Sequence, residues 1–118
     1  MAGIERGRIS EPTATADYGK QGTAAMVTIG MTGFGMGNES TVWLSTLEPG
    51  WSWVRNIKPT VPFETCPLHH REYVIAGRIR YVHNDGAVVE AGAGEHLLIE
   101  PGHLAEVVGE ETCLLLDW

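Results

Sequence analysis

What most limits this chain is its punctuation. From Thr23 onward, Gly, Pro and Asn/Asp-Gly breaks recur roughly every 8–12 residues, the spacing of an all-β chain. Between the breaks lie short runs rich in β-branched, aromatic and aliphatic residues. No stretch sustains the 3.6-residue apolar period of an amphipathic helix. The pattern predicts about eight or nine short strands in a β-sandwich or barrel. With 118 residues the chain makes one domain. That size buries roughly two-thirds of the unfolded surface, enough for a core without staples.

Taken in order, residues 1–22 are small and polar and read as a flexible arm, or as one that pairs with a second subunit. Residues 23–118 form the single domain. Strands are expected over Thr23–Met31, Thr41–Leu47 and Trp51–Lys58. The last alternates Trp51, Trp53, Arg55 and Ile57 against Ser52, Val54, Asn56 and Lys58, so both tryptophans share one face. Gly30, Gly33, Gly35 and Gly37 superficially resemble a phosphate loop. Their spacing fits neither phosphate-loop pattern, and they read as a turn. Glu48-Pro49-Gly50 suits a type II turn. Thr65–Gly86 (TCPLHHREYVIAGRIRYVHNDG) places a cysteine and two adjacent histidines ahead of the run Tyr73–Ala76. Gly77 breaks that run, and Arg78–His83 leads into the hairpin signal Asn84-Asp85-Gly86. Strands follow over Ala87–Glu90, Glu95–Ile99, His103–Val108 and Thr112–Trp118. Turns are expected at 91–94 and 100–102.

A formal net charge of −7 argues against nucleic acid as a partner, because phosphate binding needs clustered Lys and Arg. Cys66 and Cys113 are too few for a disulfide framework. The start, MAGIERGRIS, lacks the apolar core of a secretory signal. No apolar run approaches the roughly 18 residues of a membrane span. A cytoplasmic protein with reduced thiols and no membrane partner is the expectation.

The segments GWSWVRNIKP, CPLHHREYVIAGRIR, NDG and LLIEPGHLAEVVGEETCLLLDW carry a family resemblance in their order and spacing. From Gly50 to Trp118 the chain resembles a small single-domain cupin, a β-barrel of the double-stranded, RmlC-like jelly-roll type. The cupin pattern has two histidines one residue apart, then a glutamate and a glycine, and later Pro-x-Gly followed by a histidine. The likeness is greatest to a bacterial subgroup in which cysteine replaces the second histidine. Counting back from Gly77, the glutamate position falls on His70 and the histidine pair on Glu64 and Cys66. The later histidine position falls on Ala105, with His103 two residues earlier. The resemblance also implies a homodimer.

On this reading Glu64, Cys66, His70 and His103 are the candidate metal ligands. Residues two apart on a strand share a face, so Glu64 joins Cys66, and His70 joins Glu72. His69, on the opposite face from His70, is expected outside, and His83 and His96 at the surface. The mixed oxygen, sulfur and nitrogen set favours zinc, with iron or copper as alternatives. Trp43, Trp51, Trp53 and Tyr81 are candidate pocket walls. Without metal, His70 is the candidate catalytic base. Cys66 with His70 would be a nucleophilic pair lacking an identifiable third member. Cys113, in an apolar run, reads as core. Two functions follow. One is a metal-dependent enzyme on a small oxygenated molecule, of isomerase, lyase or oxygenase type. The other is a metal-free ligand-binding or sensor barrel.

Overall fold

The computed structural model describes residue 4, residues 6–30 and residues 39–118. The expected turn after Gly30 lies outside them. Among the described residues there are nine strands: β1 (Ala14–Asp17), β2 (Gly22–Gly30), β3 (Glu39–Leu47), β4 (His70–Ala76), β5 (Arg78–His83), β6 (Val88–Gly92), β7 (His96–Ile99), β8 (His103–Val107) and β9 (Cys113–Asp117). They form a six-stranded sheet in the order β1-β2-β3-β9-β4-β7 and a three-stranded sheet in the order β6-β5-β8. Every pairing between strands is antiparallel. No described helix is long and apolar enough to cross a membrane.

Alternation sets which side chains enter. In β4, Glu72 and Val74 are buried while Arg71, Tyr73 and Ile75 are exposed. In β5, Ile79 and Tyr81 are buried. In β9, Cys113 and Leu115 are buried, and Asp117 continues their face. Val74, Ile79, Tyr81, Cys113 and Leu115, with Leu47, Trp51, Trp53, Ile99 and Ala105, belong to one core between the sheets.

Gly77 carries the chain from one sheet to the other. It lies between β4 and β5 with φ +77°, and a Cβ there would stand 2.6 Å from the Thr112 carbonyl oxygen and 2.7 Å from the Cys113 Cα. Only glycine fits both the dihedral and the space. The Asn84-Asp85-Gly86 hairpin forms where expected, but Gly86 alone takes positive φ, at 93°. Gly86 N–H bonds to the His83 carbonyl and His83 N–H to the Ala87 carbonyl, so the loop is a three-residue one.

One expectation needs correction. Trp51–Lys58 is not a strand. Ser52 makes an isolated bridge to Glu106, and a short helix, α1 (Trp53–Asn56), follows, with a 3-10 turn at Lys58–Thr60. The Ser52 hydroxyl accepts from the Arg55 N–H at 3.1 Å, and the Asn56 side chain caps the Ser52 N–H at 3.0 Å. This local capping competes with strand pairing. Trp53 and Ile57, four apart, pack together on the core, so the alternation was equally compatible with a helical turn.

Part of the stretch read as a flexible or partner-pairing arm, residues 1–22, is a strand of the larger sheet. Its residues 14–17 pair with β2 of the same chain, from Ala14 opposite Met26 to Asp17 opposite Thr23. The Trp51 indole N–H donates to the Tyr18 carbonyl at 2.8 Å and ties this hairpin to the barrel.

Candidate functional site

A cavity of about 400 Å³ opens between the two sheets. The first sheet contributes Trp43, Ser45, Glu72, Leu115 and Asp117 to it, and the second Ile79, Tyr81, His103 and Ala105. All four aromatic residues expected as walls, Trp43, Trp51, Trp53 and Tyr81, line it.

Three of the four expected ligands meet here. Cys66 Sγ, a His70 ring nitrogen and a His103 ring nitrogen all lie within 4.8 Å of one another. Cys66 is positioned by an isolated bridge to His103: its N–H donates to the His103 carbonyl, and the Gly102 N–H donates to the Cys66 carbonyl, each at 2.9 Å. His70 opens β4, four residues on. His103 opens β8 and is only 2% exposed. The His70 and His103 rings meet edge to face, 5.1 Å between centroids, and Tyr81 meets His103 likewise at 5.5 Å.

Glu64 is not part of this group, which corrects the expected ligand set. Residues 64 and 65 form a bend rather than a strand, so the two-residue parity with Cys66 does not operate. The Glu64 side chain is 87% exposed and pairs with the Lys58 ammonium at 2.9 Å. His69 and His96 are exposed as expected, and His83 sits at a turn against the Pro101 carbonyl. Cys113 is fully buried, and both cysteines are free.

Asp117 went unrecognised in the sequence. Its Oδ2 lies 2.8 Å from His70 Nδ1, leaving His70 Nε2 to face Cys66 Sγ at 3.7 Å. The available signal was the alternation Cys113, Leu115, Asp117 on a strand otherwise apolar, which aims one carboxylate inward. Glu72 is also interior, accepting a 2.5 Å hydrogen bond from the Tyr81 hydroxyl. Its second oxygen lies 3.8 Å from His70 Nδ1. His103 Nδ1 donates to the Glu100 carbonyl at 2.7 Å, which fixes the tautomer and leaves Nε2 toward the cavity.

These contacts set the charge states. Burial pushes the Cys66 thiol up, but hydrogen bonds from His103, His70 and the Leu68 backbone bring it down from 9.0 to about 6. Burial opposes a charge on His70, yet the Asp117 hydrogen bond, Cys66 and the Glu72 charge raise it from 6.5 to about 10. Glu72 is raised by burial from 4.5 to about 7, against the Tyr81 hydrogen bond and His70. Burial lifts Cys113 to about 12, so it is inert. The centre is thus a thiolate and an imidazolium backed by a carboxylate.

Two facing antiparallel sheets around a pocket bearing a histidine-containing ligand group define the cupin-type jelly-roll barrel. Solved structures bear this out. The chain is similar to the polyketide cyclase RemF from Streptomyces resistomycificus, with TM-score 0.59, 21% identity, and 97% of this chain and 77% of that one covered. It is similar to a structural-genomics protein of unknown function from Rhizobium leguminosarum bv. viciae, with TM-score 0.56, 20% identity and coverage of 99% and 98%. It is similar also to Bacillus subtilis oxalate decarboxylase, described with Mn(II) centres, with TM-score 0.53, 23% identity and 91% of this chain covered. The chain spans only 26% of that decarboxylase. At such identities the likeness establishes the fold. No protein-family profile and no curated protein matches the sequence.

Proposed function

We propose that the protein binds a divalent cation through Cys66, His70 and His103 and acts on a small oxygenated molecule in the cavity. The observation carrying this reading is the convergence of three soft or borderline donors in one largely apolar cavity, with both imidazoles already oriented. Each histidine has its Nδ1 engaged, His70 by Asp117 and His103 by the Glu100 carbonyl, so each presents Nε2. Such outer partners fix the ring and raise ligand basicity. A tetrahedral zinc with ordinary bond lengths separates sulfur from nitrogen by about 3.6 Å. The Cys66 Sγ to His70 Nε2 distance is 3.7 Å. The sulfur donor favours zinc, then iron, over the manganese named for oxalate decarboxylase.

A cation held by Cys66, His70 and His103 would supply Lewis-acid polarisation of a substrate oxygen. Around it, Asp117 holds His70, the Glu72–Tyr81 pair carries a proton near the reacting end, and the aromatic walls exclude water. Elemental analysis of the untagged protein beside Cys66→Ala and His103→Ala tests this. Near-stoichiometric zinc or iron, lost in both variants, is the expected result. A protein that takes up no metal after reconstitution overturns it.

Asp117 favours a second reading. It supplies the third member that the Cys66–His70 pair lacked, in the order nucleophile, base, orienting carboxylate. In that reading Cys66 attacks an electrophilic carbon and His70 returns the proton to the leaving group. Stoichiometric alkylation of metal-free protein at Cys66, with turnover surviving exhaustive chelation, would favour it over the metal. We also propose a homodimer joined along the open edge of β1. Light scattering showing only the 12.8 kDa chain would rule that out.

A further inference from the structure

The cavity's occupant can be classed by what its walls lack. The lining includes Asp17, Glu72 and Asp117 but no lysine and no arginine. Residues 1–3, 5 and 31–38, outside the described structure, contain neither. Most of the chain's cations are engaged elsewhere. Arg78 and Arg80 pair with Glu90 and Glu106 on the outward face of β5. Lys58 holds Glu64, and Arg71 donates to the Trp118 carbonyl. A dicarboxylate or phosphate ester entering here would leave water for walls with no lysine or arginine, where the one cationic side chain, His70, is already paired with Asp117 at 2.8 Å, beside buried Glu72.

The remaining wall is mostly hydrocarbon and π surface. Trp43, Trp51, Trp53, Phe63 and Leu68 form its sides. Cys66, His70, His103, Asp117 and the Glu72–Tyr81 pair form one polar cluster in this lining, and Asp17, Ser45 and Thr60 are other polar residues there. Indole faces favour flat rings in stacked or edge contact. At about 400 Å³ the cavity is near the small end of ligand pockets, with room for about two or three fused rings.

We propose that the cavity takes a neutral, largely apolar, planar molecule with a single oxygen function (phenol, enol or ketone) at one end. The position of that oxygen rests on the metal-site reading, whereas neutrality and flatness rest on the walls alone. Calorimetric titration of the protein as purified with 2-naphthol, 2-naphthalenesulfonate and oxalate tests the class. Saturable binding of the naphthol is expected, with the sulfonate at least tenfold weaker and oxalate silent. Leu68→Lys places a cation in the lining at a side chain that is 50% exposed. It should bring the sulfonate to at least the naphthol's affinity. Oxalate or the sulfonate binding more tightly than naphthol to the unaltered protein overturns the proposal, as does absence of saturable naphthol binding. Naphthol binding that persists in Cys66→Ala, with no cation in either protein, supports the wall inference while sinking the metal reading. A bound cation without naphthol binding does the reverse.

Discussion

His70 has a carboxylate on one ring nitrogen and a thiol on the other, and each neighbour alters what the ring can do. In metal-free protein its folded-state value of about 10 lies above the ordinary 6.5. Its contribution to stability is therefore fully present below pH 6.5 and is lost as pH rises through about 10. Cys66 shifts the opposite way, from 9.0 to about 6. Thiolate absorbance near 240 nm in metal-free Cys113→Ala protein should accordingly titrate close to pH 6. A midpoint near the ordinary thiol value would mean that the two histidines do not stabilise the charge. Asp117→Asn keeps the shape but removes the charge behind His70. Zinc affinity should fall roughly 10–100-fold, the usual effect of losing such a partner. Unchanged affinity in a competition titration would remove Asp117 from the site. The spacing that resembles a cupin singled out Cys66, His70 and His103, which the fold brings together. Glu64 was misread because its parity assumed a strand where the chain bends. Asp117 was missed because its partner, His70, lies 47 residues away in sequence. Only the pairing of β4 with β9 brings them together, Glu72 opposite Asp117.

Among the elements, the β4–Gly77–β5 corner decides whether a site exists at all. β4 delivers His70 and Glu72 from the larger sheet, and β5 delivers Tyr81 from the smaller. Gly77→Ala would force a side chain against the Thr112 carbonyl at positive φ. We expect a loss of about 2–3 kcal/mol in urea unfolding. A loss below about 0.5 kcal/mol would show that the corner relaxes freely. The strands were legible because alternation and turn chemistry are local. The short helix was not, because four residues span barely one turn and Trp51–Lys58 fits both periods. The first hairpin was not either: β1 is small and polar, and its order comes from pairing with β2 and from the Trp51–Tyr18 bond, neither of which is visible in its composition.

For the molecule as a whole, an all-β sandwich or barrel followed from punctuation and spacing and its cupin type from the family resemblance, while the cavity's chemistry depends on contacts between distant strands. A cation that binds only the folded state should stabilise it by mass action. At a free concentration of 100 times Kd the gain is about 2.7 kcal/mol, or roughly 10 °C in Tm for a chain of this size. Thermal unfolding with and without zinc, and again after chelation, measures it. A Tm indifferent to zinc would contradict binding at this site.

His70 stands on one sheet, while His103 stands on the other with Cys66 bridged to it. A guest gripped by all three acts as a rivet through both walls. The barrel then cannot breathe open along that seam without first letting go. Slow amide exchange at the starts of β4 and β8 should rise and fall as one unit, and guest departure would set the tempo of the motion.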